Sequence, residues 1–397
     1  MRSVAVIGAG PAGLVATKTL LHSYPQGTFR VSVLEQSPWI GGLWAVDSAL
    51  KDGPINPEMR TNLTQFTVFF SDLSLGSVEV NTGLNANCTD ETTNDFSRVP
   101  MYPKAWQVDR YLQQYYKKFV PAGIVSFNTQ VIHSERVQQD GRVCWKLVTV
   151  DPRSKEPAKT ESMFDYVIVS SGFFSHPRMV SCKLDNIVPG QSPTPVIHSS
   201  QFRKLSDLST TDNGLKGVKV LVIGCSHSGS EIAASLALQM SNDRYSPSAN
   251  GGEPGHIVHI MPRPVYAIPP FVQAGNETGA FLPLDFLLYD LAKRPPGSIS
   301  FSFGRMTPQK ARGLQKMIQS ISGVDQHEWG FQETEKENLE GVNPPYGIVS
   351  EGYAEFVRSG DITTKVGRLQ CLAKQVCKYF ILDFIYRDQF NLSRIAM

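Results

Sequence analysis

The chain of 397 residues is long enough for two domains, and 41% hydrophobic against 19% charged residues is the balance of an ordinary globular protein. A net charge of +2 without any basic block argues against nucleic acid or an anionic membrane as partner, and no run approaches the ~18 apolar residues of a membrane span. Met1 stands almost directly before the first apolar run, which leaves no room for a signal or transit peptide, so a cytoplasmic protein is expected.

The first predicted element is a strand, Val4-Ala5-Val6-Ile7, that runs into Gly8-Ala9-Gly10-Pro11-Ala12-Gly13 and then into a helix-spaced segment from Leu14 to Leu21. In such a strand-turn-helix Gly8 permits the turn, Gly10 lets backbone approach a pyrophosphate at the helix N-terminus, and Gly13 lets helix and strand pack closely. The chain returns through Arg30 to Leu34 and reaches Glu35, an acid about 20 residues past the turn, where a carboxylate accepts from ribose hydroxyls. Gln36-Ser37-Pro38-Trp39-Ile40-Gly41-Gly42-Leu43-Trp44 follows, a second glycine pair with an aromatic, where a nicotinamide-binding fold continues into an ordinary helix. This loop, with Gly42, Leu43 and Trp44 against the ligand and Pro11 at the helix start, favours FAD at the first turn.

Residues 45–100 are rich in Gly, Pro, Asn and Thr and read as a long functional loop region around the apolar segment Phe66–Phe70. The polar cluster Met59-Arg60-Thr61-Asn62-Leu63-Thr64 lies close in sequence to the glycine-pair loop. A helix is expected from about Gln107 to Val120, with Tyr111, Leu112, Tyr115, Tyr116 and Phe119 on one face as core. Strands are expected at 124–127, 130–137 and 143–150, the last two joined by a hairpin turn at Asp140-Gly141. One buried strand, Phe164 to Val169, then leads to Ser170-Ser171-Gly172, with Gly172 bringing backbone near the first nucleotide. A proline-punctuated stretch from His176-Pro177 to Pro195 marks the domain boundary.

A second strand-turn-helix opens at Val218–Ile223, with Gly224-Cys225-Ser226-His227-Ser228-Gly229 as the turn and Ser230 to Met240 as the helix. Ser226 replaces the middle glycine but is small enough for a close backbone approach, so Gly224, Ser226, Ser228 and Gly229 are taken to bind a second dinucleotide. The next strand, Ile257-Val258-His259-Ile260-Met261, ends at Pro262-Arg263. A cation here, where an NAD site places an acid, suits a 2′-phosphate, so NADPH is preferred with Arg263 as its reader; a solvated surface arginine is the alternative. The fold class is thus α/β, with two Rossmann-like dinucleotide-binding domains and an antiparallel β insert in the first.

Six scattered cysteines lack the close redox pair of a disulfide reductase, and neither a metal cluster nor a catalytic triad stands out, so no metal is expected. Taken together, Gly8 to Gly13, the Glu35 to Trp44 loop, Asn62, Tyr102-Pro103, Tyr111-Leu112, His198-Ser199-Ser200-Gln201-Phe202 and Gly224 to Gly229 make the chain resemble the flavin-containing monooxygenases. The His198 to Phe202 run is similar to the tail of that family's fingerprint, and Phe202 points to the heteroatom-oxidising branch.

The resemblance implies an FAD domain begun in residues 1–175, an NADPH domain inserted over 176–335, and a return to the FAD domain over 336–397, with Tyr346 to Arg358 as its start. It implies that NADPH reduces FAD, that dioxygen forms a C4a-hydroperoxyflavin, and that one oxygen passes to a soft nitrogen or sulfur of a small molecule. Asn62 is then the catalytic candidate, its amide donating as a fixed dipole near the flavin; an asparagine closing a turn is the alternative. His198 reads as an interdomain hydrogen-bonding residue.

From about residue 370 the chain departs from the family, because the expected Gly-containing turn facing the flavin is absent and an apolar, aromatic run, Tyr379–Tyr386, stands without clean alternation. That tail is expected to be mobile or poorly packed, with weak FAD affinity and early cleavage near 370–380. Two other readings stay open: an NADPH-dependent flavin oxidase releasing hydrogen peroxide, and a truncated, non-catalytic nucleotide-binding remnant. The oligomeric state, homodimer included, stays open too.

Overall fold

The computed structural model describes residues 1–46, 55–80, 99–139, 141–174, 177, 183–184, 196–208, 219–224, 227–246, 255–262, 265–273, 279–288, 307–322, 346–350, 352–367, 371–372 and 379–382. The chain divides into two compact units, Met1–His176 and Pro177–Met397.

Unit 1 is built on a four-stranded parallel sheet of β1 (Arg2–Ile7), β2 (Phe29–Leu34), β3 (Val125–Ser126) and β7 (Tyr166–Val169), in the order β3-β2-β1-β7. The β-branched run of β1 is buried on both faces, Val4, Ala5 and Val6 being at most 2% exposed, as a central parallel strand requires. Helix α1 (Pro11–His22) crosses between β1 and β2, and α2 (Ala105–Phe119) buries Val108, Tyr111, Leu112 and Tyr115 with Leu14, Val31 and Val33 in one core. A separate antiparallel sheet, β4 (Gln130–Gln139), β5 (Arg142–Val150) and β6 (Thr160–Phe164), is inserted before β7, and its first hairpin turns at Gly141 with φ 73°.

The expected single buried strand from Phe164 to Val169 is corrected in two respects. It is broken at Asp165 into β6 and β7, which belong to different sheets, because the Asp165 carboxylate accepts from the Ser3 amide (2.7 Å) and hydroxyl (2.9 Å) and pins the chain at a corner. It is also not fully buried, for among the described residues β7 pairs only with β1, and Val169 is 71% exposed.

Unit 2 carries a five-stranded parallel sheet in the order β16-β11-β10-β18-β9. Its strands are β9 (Val196–His198), β10 (Lys219–Ile223), β11 (His256–Met261), β16 (Ile362–Val366) and β18 (Tyr379–Leu382). Helix α3 (His227–Tyr245) follows β10 and buries Ile232, Ala233, Leu236 and Ala237 against Val220, Val222, Ile257 and Met261. Outside this sheet, β12 (Val265–Ile268) pairs with β15 (Tyr346–Val349), β13 (Phe271–Gln273) with β14 (Phe281–Pro283), and β8 (Lys183–Leu184) with β17 (Cys371–Leu372). Helices α4 (Leu284–Leu288), α5 (Pro308–Ser322) and α6 (Tyr353–Arg358) are the other described α-helices of the unit.

Two expectations about the later chain differ from this architecture. Residues 336–397 are expected to return to the FAD domain, whereas their described strands β15, β16 and β18 pair with β12, β11 and β10, and Ile348, Tyr353 and Ile362 enter the core beneath α3. Nor is the tail without a place in the sheet: the backbone of Tyr379–Leu382 lies between β10 and β9, hydrogen-bonded to both. A strand paired on both edges inside a parallel sheet need not alternate.

Candidate functional site

The turn after β1 is built from backbone alone. Gly8 has φ 99°, where L side chains are strained, and its amide continues the ladder by donating to Leu34 O (2.8 Å). A Cβ on Gly8 would stand 2.5 Å from the Ser170 carbonyl oxygen, and one on Gly13 only 1.9 Å from Gly8 O. Both positions must therefore be glycine for β1, α1 and the segment after β7 to meet.

Gly10 is different, for a Cβ there would meet nothing nearer than Gly42 Cα at 3.7 Å. A methyl there would touch the Gly42 backbone at ordinary van der Waals distance, without a clash. Gly10 caps α1, Pro11 opens it, and no acidic residue lies in the first turn. The amides of Ala12 and Gly13 have no helical carbonyl to donate to, so this end of the helix presents donors and positive potential.

Glu35, 7% exposed, closes the turn from the side. Its Oε2 accepts from the Ala9 amide (2.6 Å), and its Oε1 from the Ser37 amide (2.8 Å) and hydroxyl (2.7 Å). The carboxylate is thus a brace for the turn, and each of its oxygens keeps further lone-pair capacity.

The loop of Gln36 to Trp44 folds over the turn through Gly41 N–H to Ala9 O (3.0 Å), and a Cβ on Gly42 would lie 3.1 Å from Gly10 Cα. Gln36 and Gly42 are exposed, while Leu43 and Trp44 are half-buried. Asp109 of α2 holds the far side of this loop, Oδ2 accepting from Val46 N–H at 3.4 Å. The sequence reading passed over Asp109, whose only signal was an acid on the buried face of an otherwise apolar stripe.

Asn62 sits exposed on a segment zipped antiparallel to the chain before α2. Thr61 N–H donates to Pro103 O (2.9 Å), Gln65 N–H to Met101 O (2.7 Å) and Ala105 N–H to Met59 O (2.8 Å), while Thr64 and Gln65 are buried. The side chain therefore stands on a rigid support. Behind it, Tyr111 OH donates to Leu73 O (2.9 Å) and accepts from Phe70 N–H (2.9 Å), and Lys18 pairs with Asp72. Burial works to raise the Asp72 carboxyl, but Lys18 outweighs it and holds the group below the usual range.

Gly172 is exposed with φ 71° and nothing within 4 Å of an added Cβ, so the close approach at this end of β7 is made by the Ser170 carbonyl instead. A diphosphate fits what unit 1 offers: a turn of glycines without side chains, helix-end amides with no helical carbonyl, and no first-turn acid to repel it.

In unit 2 the turn after β10 begins at Gly224, φ 135°, whose amide donates to Ile260 O (2.9 Å). Helix α3 starts at His227, three residues before the expected Ser230, so Ser228 and the buried Gly229 lie in its first turn. Ser226 and Arg263 lie outside the described residues. Because Ile260 accepts the Gly224 amide as Leu34 accepts that of Gly8, Met261 stands where Glu35 stands, apolar and fully buried. Counting along the sequence had put Arg263 there; the strand register puts it two residues further on.

His259, also fully buried, reaches the same turn: its Nε2 lies 2.6 Å from Gly224 O and its Nδ1 2.7 Å from Tyr353 OH. Burial pushes the imidazole down to about 4 and raises the Tyr353 phenol. His198 makes local bonds, its Nδ1 accepting from Ser200 N–H (3.1 Å), and burial lowers it as well. Among the described residues no cluster could hold a metal ion, and no helix is long and apolar enough to cross a membrane.

A flavin-binding monooxygenase-like family (FMO-like) matches residues 1–251. The flavin-containing monooxygenase FMO GS-OX-like 6 of Arabidopsis thaliana is 29% identical over 252 residues, 60% of this chain and 46% of that protein. The thiol-specific monooxygenase of Saccharomyces cerevisiae is 26% identical over 258 residues, 63% of this chain and 50% of that one. The chain spans about half the length of these curated relatives. Among solved structures, the open crystal structure of cyclohexanone monooxygenase aligns with 96% of this chain and 73% of its own, with TM-score 0.55 at 14% identity. The OTEMO complex with FAD and NADP aligns with 96% and 71%, at 0.54 and 13%. These last two likenesses are of fold.

Proposed function

The chain belongs to the flavin-binding monooxygenase-like family, and on that premise we propose that it transfers one oxygen atom of O2 to a soft nucleophilic nitrogen or sulfur of a small molecule, using FAD and NADPH. The name of the yeast relative moves the choice toward sulfur. When bound, FAD and NADPH supply the redox chemistry, and the protein supplies binding, orientation and exclusion of water.

We assign FAD to unit 1 and NADPH to unit 2. The observation that carries the first assignment is the N-terminus of α1, which has no acid in its first turn and beside which Gly10 and Gly42 approach backbone to backbone. There Gly10, Ala12 and Gly13 donate to the diphosphate, Glu35 accepts from ribose while bracing Ala9, and Leu43 and Trp44 flank the ligand. Asn62 directs its amide toward the reacting centre from a support that does not move. In unit 2, Gly224, Ser226, Ser228 and Gly229 take the second diphosphate. Met261 at the Glu35 position removes the carboxylate that would repel a 2′-phosphate, and Arg263 is assigned as its cation.

The purified full chain tests this directly. It should be yellow, should bleach anaerobically with NADPH, and on aeration should oxygenate a thioether with one NADPH consumed per product. Stoichiometric hydrogen peroxide in place of product would make it an oxidase, and a colourless protein that takes up no added FAD would make it a non-catalytic remnant.

A further inference from the structure

His259 occupies a position that an apolar residue would fill more cheaply. It lies on β11 opposite Val222, within the cluster of Val220, Val222, Ile257, Met261 and Tyr353 beneath α3. A buried imidazole is tolerated only when both ring nitrogens are paired. Both are, and the pairing admits one proton arrangement. A carbonyl can only accept, so Nε2 carries the hydrogen and donates to Gly224 O (2.6 Å), and Nδ1 accepts from the Tyr353 hydroxyl (2.7 Å).

Tyr353 is itself fixed at the start of α6, its amide donating to Ser350 Oγ at 3.3 Å and its ring meeting His259 edge-on. Gly224 is consequently held twice from the neighbouring strand, by its amide on Ile260 O and by its carbonyl on His259. The amide belongs to the planar peptide before Gly224 and the carbonyl to the one after it, so the two bonds together fix both planes where the chain leaves β10.

We infer that His259 is a positioning residue for the dinucleotide of unit 2, holding the Gly224 peptide in the orientation that a diphosphate requires, with Tyr353 holding His259. The inference rests on the reading of unit 2 as the NADPH site. It explains why a polar pair sits in an otherwise apolar core.

The test is direct titration of the FAD-loaded full chain with NADPH and NADP⁺, beside FAD content and thermal midpoint, for wild type, His259→Leu, His259→Gln and Tyr353→Phe. Removing the donor in His259→Leu should weaken NADPH and NADP⁺ about tenfold or more, with FAD content unchanged and KM for NADPH rising more than kcat falls. His259→Gln, whose amide can still donate to the carbonyl, should return affinity to within about threefold of wild type, although it packs no better than leucine. Tyr353→Phe should weaken NADPH severalfold, and it carries the test if the leucine variant does not fold. Unchanged NADPH affinity in folded His259→Leu, or in Tyr353→Phe when it stands in, would overturn the inference. So would equal losses in the leucine and glutamine variants. A wild type that binds FAD but no NADPH would instead remove the nucleotide reading of unit 2, before any variant is compared.

Discussion

In unit 1 the glycine turn is held from behind by Glu35, whose carboxylate accepts from the Ala9 amide; in unit 2 it is held by a neutral imidazole, His259, whose Nε2–H donates a hydrogen bond to the Gly224 carbonyl. The two motifs share strand, glycine turn and helix, and even the ladder bond that starts the turn. They differ in the sign of what the second strand brings. A carboxylate beside the turn suits ribose hydroxyls, whereas a neutral donor buried below it, with Met261 in the carboxylate's place, leaves that edge free of negative charge. On the proposed reading the shared fold sets where a dinucleotide would lie, and one or two residues at the end of the second strand tune which one.

The largest expected difference between the units is their dependence on distant sequence. Ending the chain after residue 370 removes β18 from between β10 and β9. Unit 2 should then lose cooperative unfolding altogether while unit 1 keeps its own, as hydrogen exchange resolved by peptide would show. Protection of β10 and β11 in the shortened chain at wild-type levels would mean that the strand is dispensable.

Next comes a pair of substitutions inside unit 1. Gly13→Ala drives a methyl to 1.9 Å from Gly8 O and should cost more than ~3 kcal/mol of stability. Gly10→Ala meets only ordinary contacts, so it should leave the apoprotein's stability within ~1 kcal/mol while FAD retention falls sharply. Equal stability losses in the two would show that Gly10, like Gly13, is needed for packing rather than for a ligand.

Acid should separate the units by a smaller margin. His259 is held neutral, so the unfolded chain takes up a proton first: stability is intact above pH 6.5 and is lost as pH falls from 6.5 to about 4, a loss of about 3 kcal/mol. In unit 1 the shifted carboxylates lie below their ordinary range, Asp165 chiefly through the Ser3 amide and Asp72 through Lys18 against its burial. Their contribution is kept above the ordinary carboxylate pKa and lost only as pH falls below about 4. Unit 2 should therefore open first on acidification, near pH 5, and simultaneous opening at pH 5 would contradict this.

Smallest in stability is Asn62→Ala. An exposed side chain on a zipped support should cost within ~0.5 kcal/mol. The variant should still be reduced by NADPH at a near-normal rate but should divert turnover from oxygenated product to peroxide. Reduction and product falling together, with coupling unchanged, would make Asn62 structural.

Much of unit 1 was legible because its constraints are local. Gly8, Gly10, Gly13 and Pro11 meet within one turn, and the periodicity from Tyr111 to Phe119 states which face of α2 is buried. What escaped depends on partners far away in sequence. Ser3 breaks the strand at Asp165, Val46 needs Asp109, and the place of Met261 beside the turn follows from strand register, which counting residues does not supply. His259 gave no local signal, since nothing around it announces that its two nitrogens meet a carbonyl and a hydroxyl from elsewhere. The strand at Tyr379–Leu382 escaped because an inner strand of a parallel sheet need show no alternation, and its partners β9 and β10 lie far away in sequence.

The position of β18 also orders events in time. During vectorial synthesis the parallel sheet of unit 1 is complete once Val169 has emerged, and its closures span modest stretches of chain. β9 and β10 of unit 2 are made early but, in the finished sheet, meet only through β18, so their assembly waits for residues 224–378 to be translated. Until then unit 2 exposes apolar strand edges of the kind that chaperones hold and that neighbouring nascent chains capture, and its high contact order makes the final closure slow. Slowing translation over residues 383–397, while the ribosome tunnel still covers β18, should thus lower the yield of native protein, and the same pause placed within residues 100–170 should not.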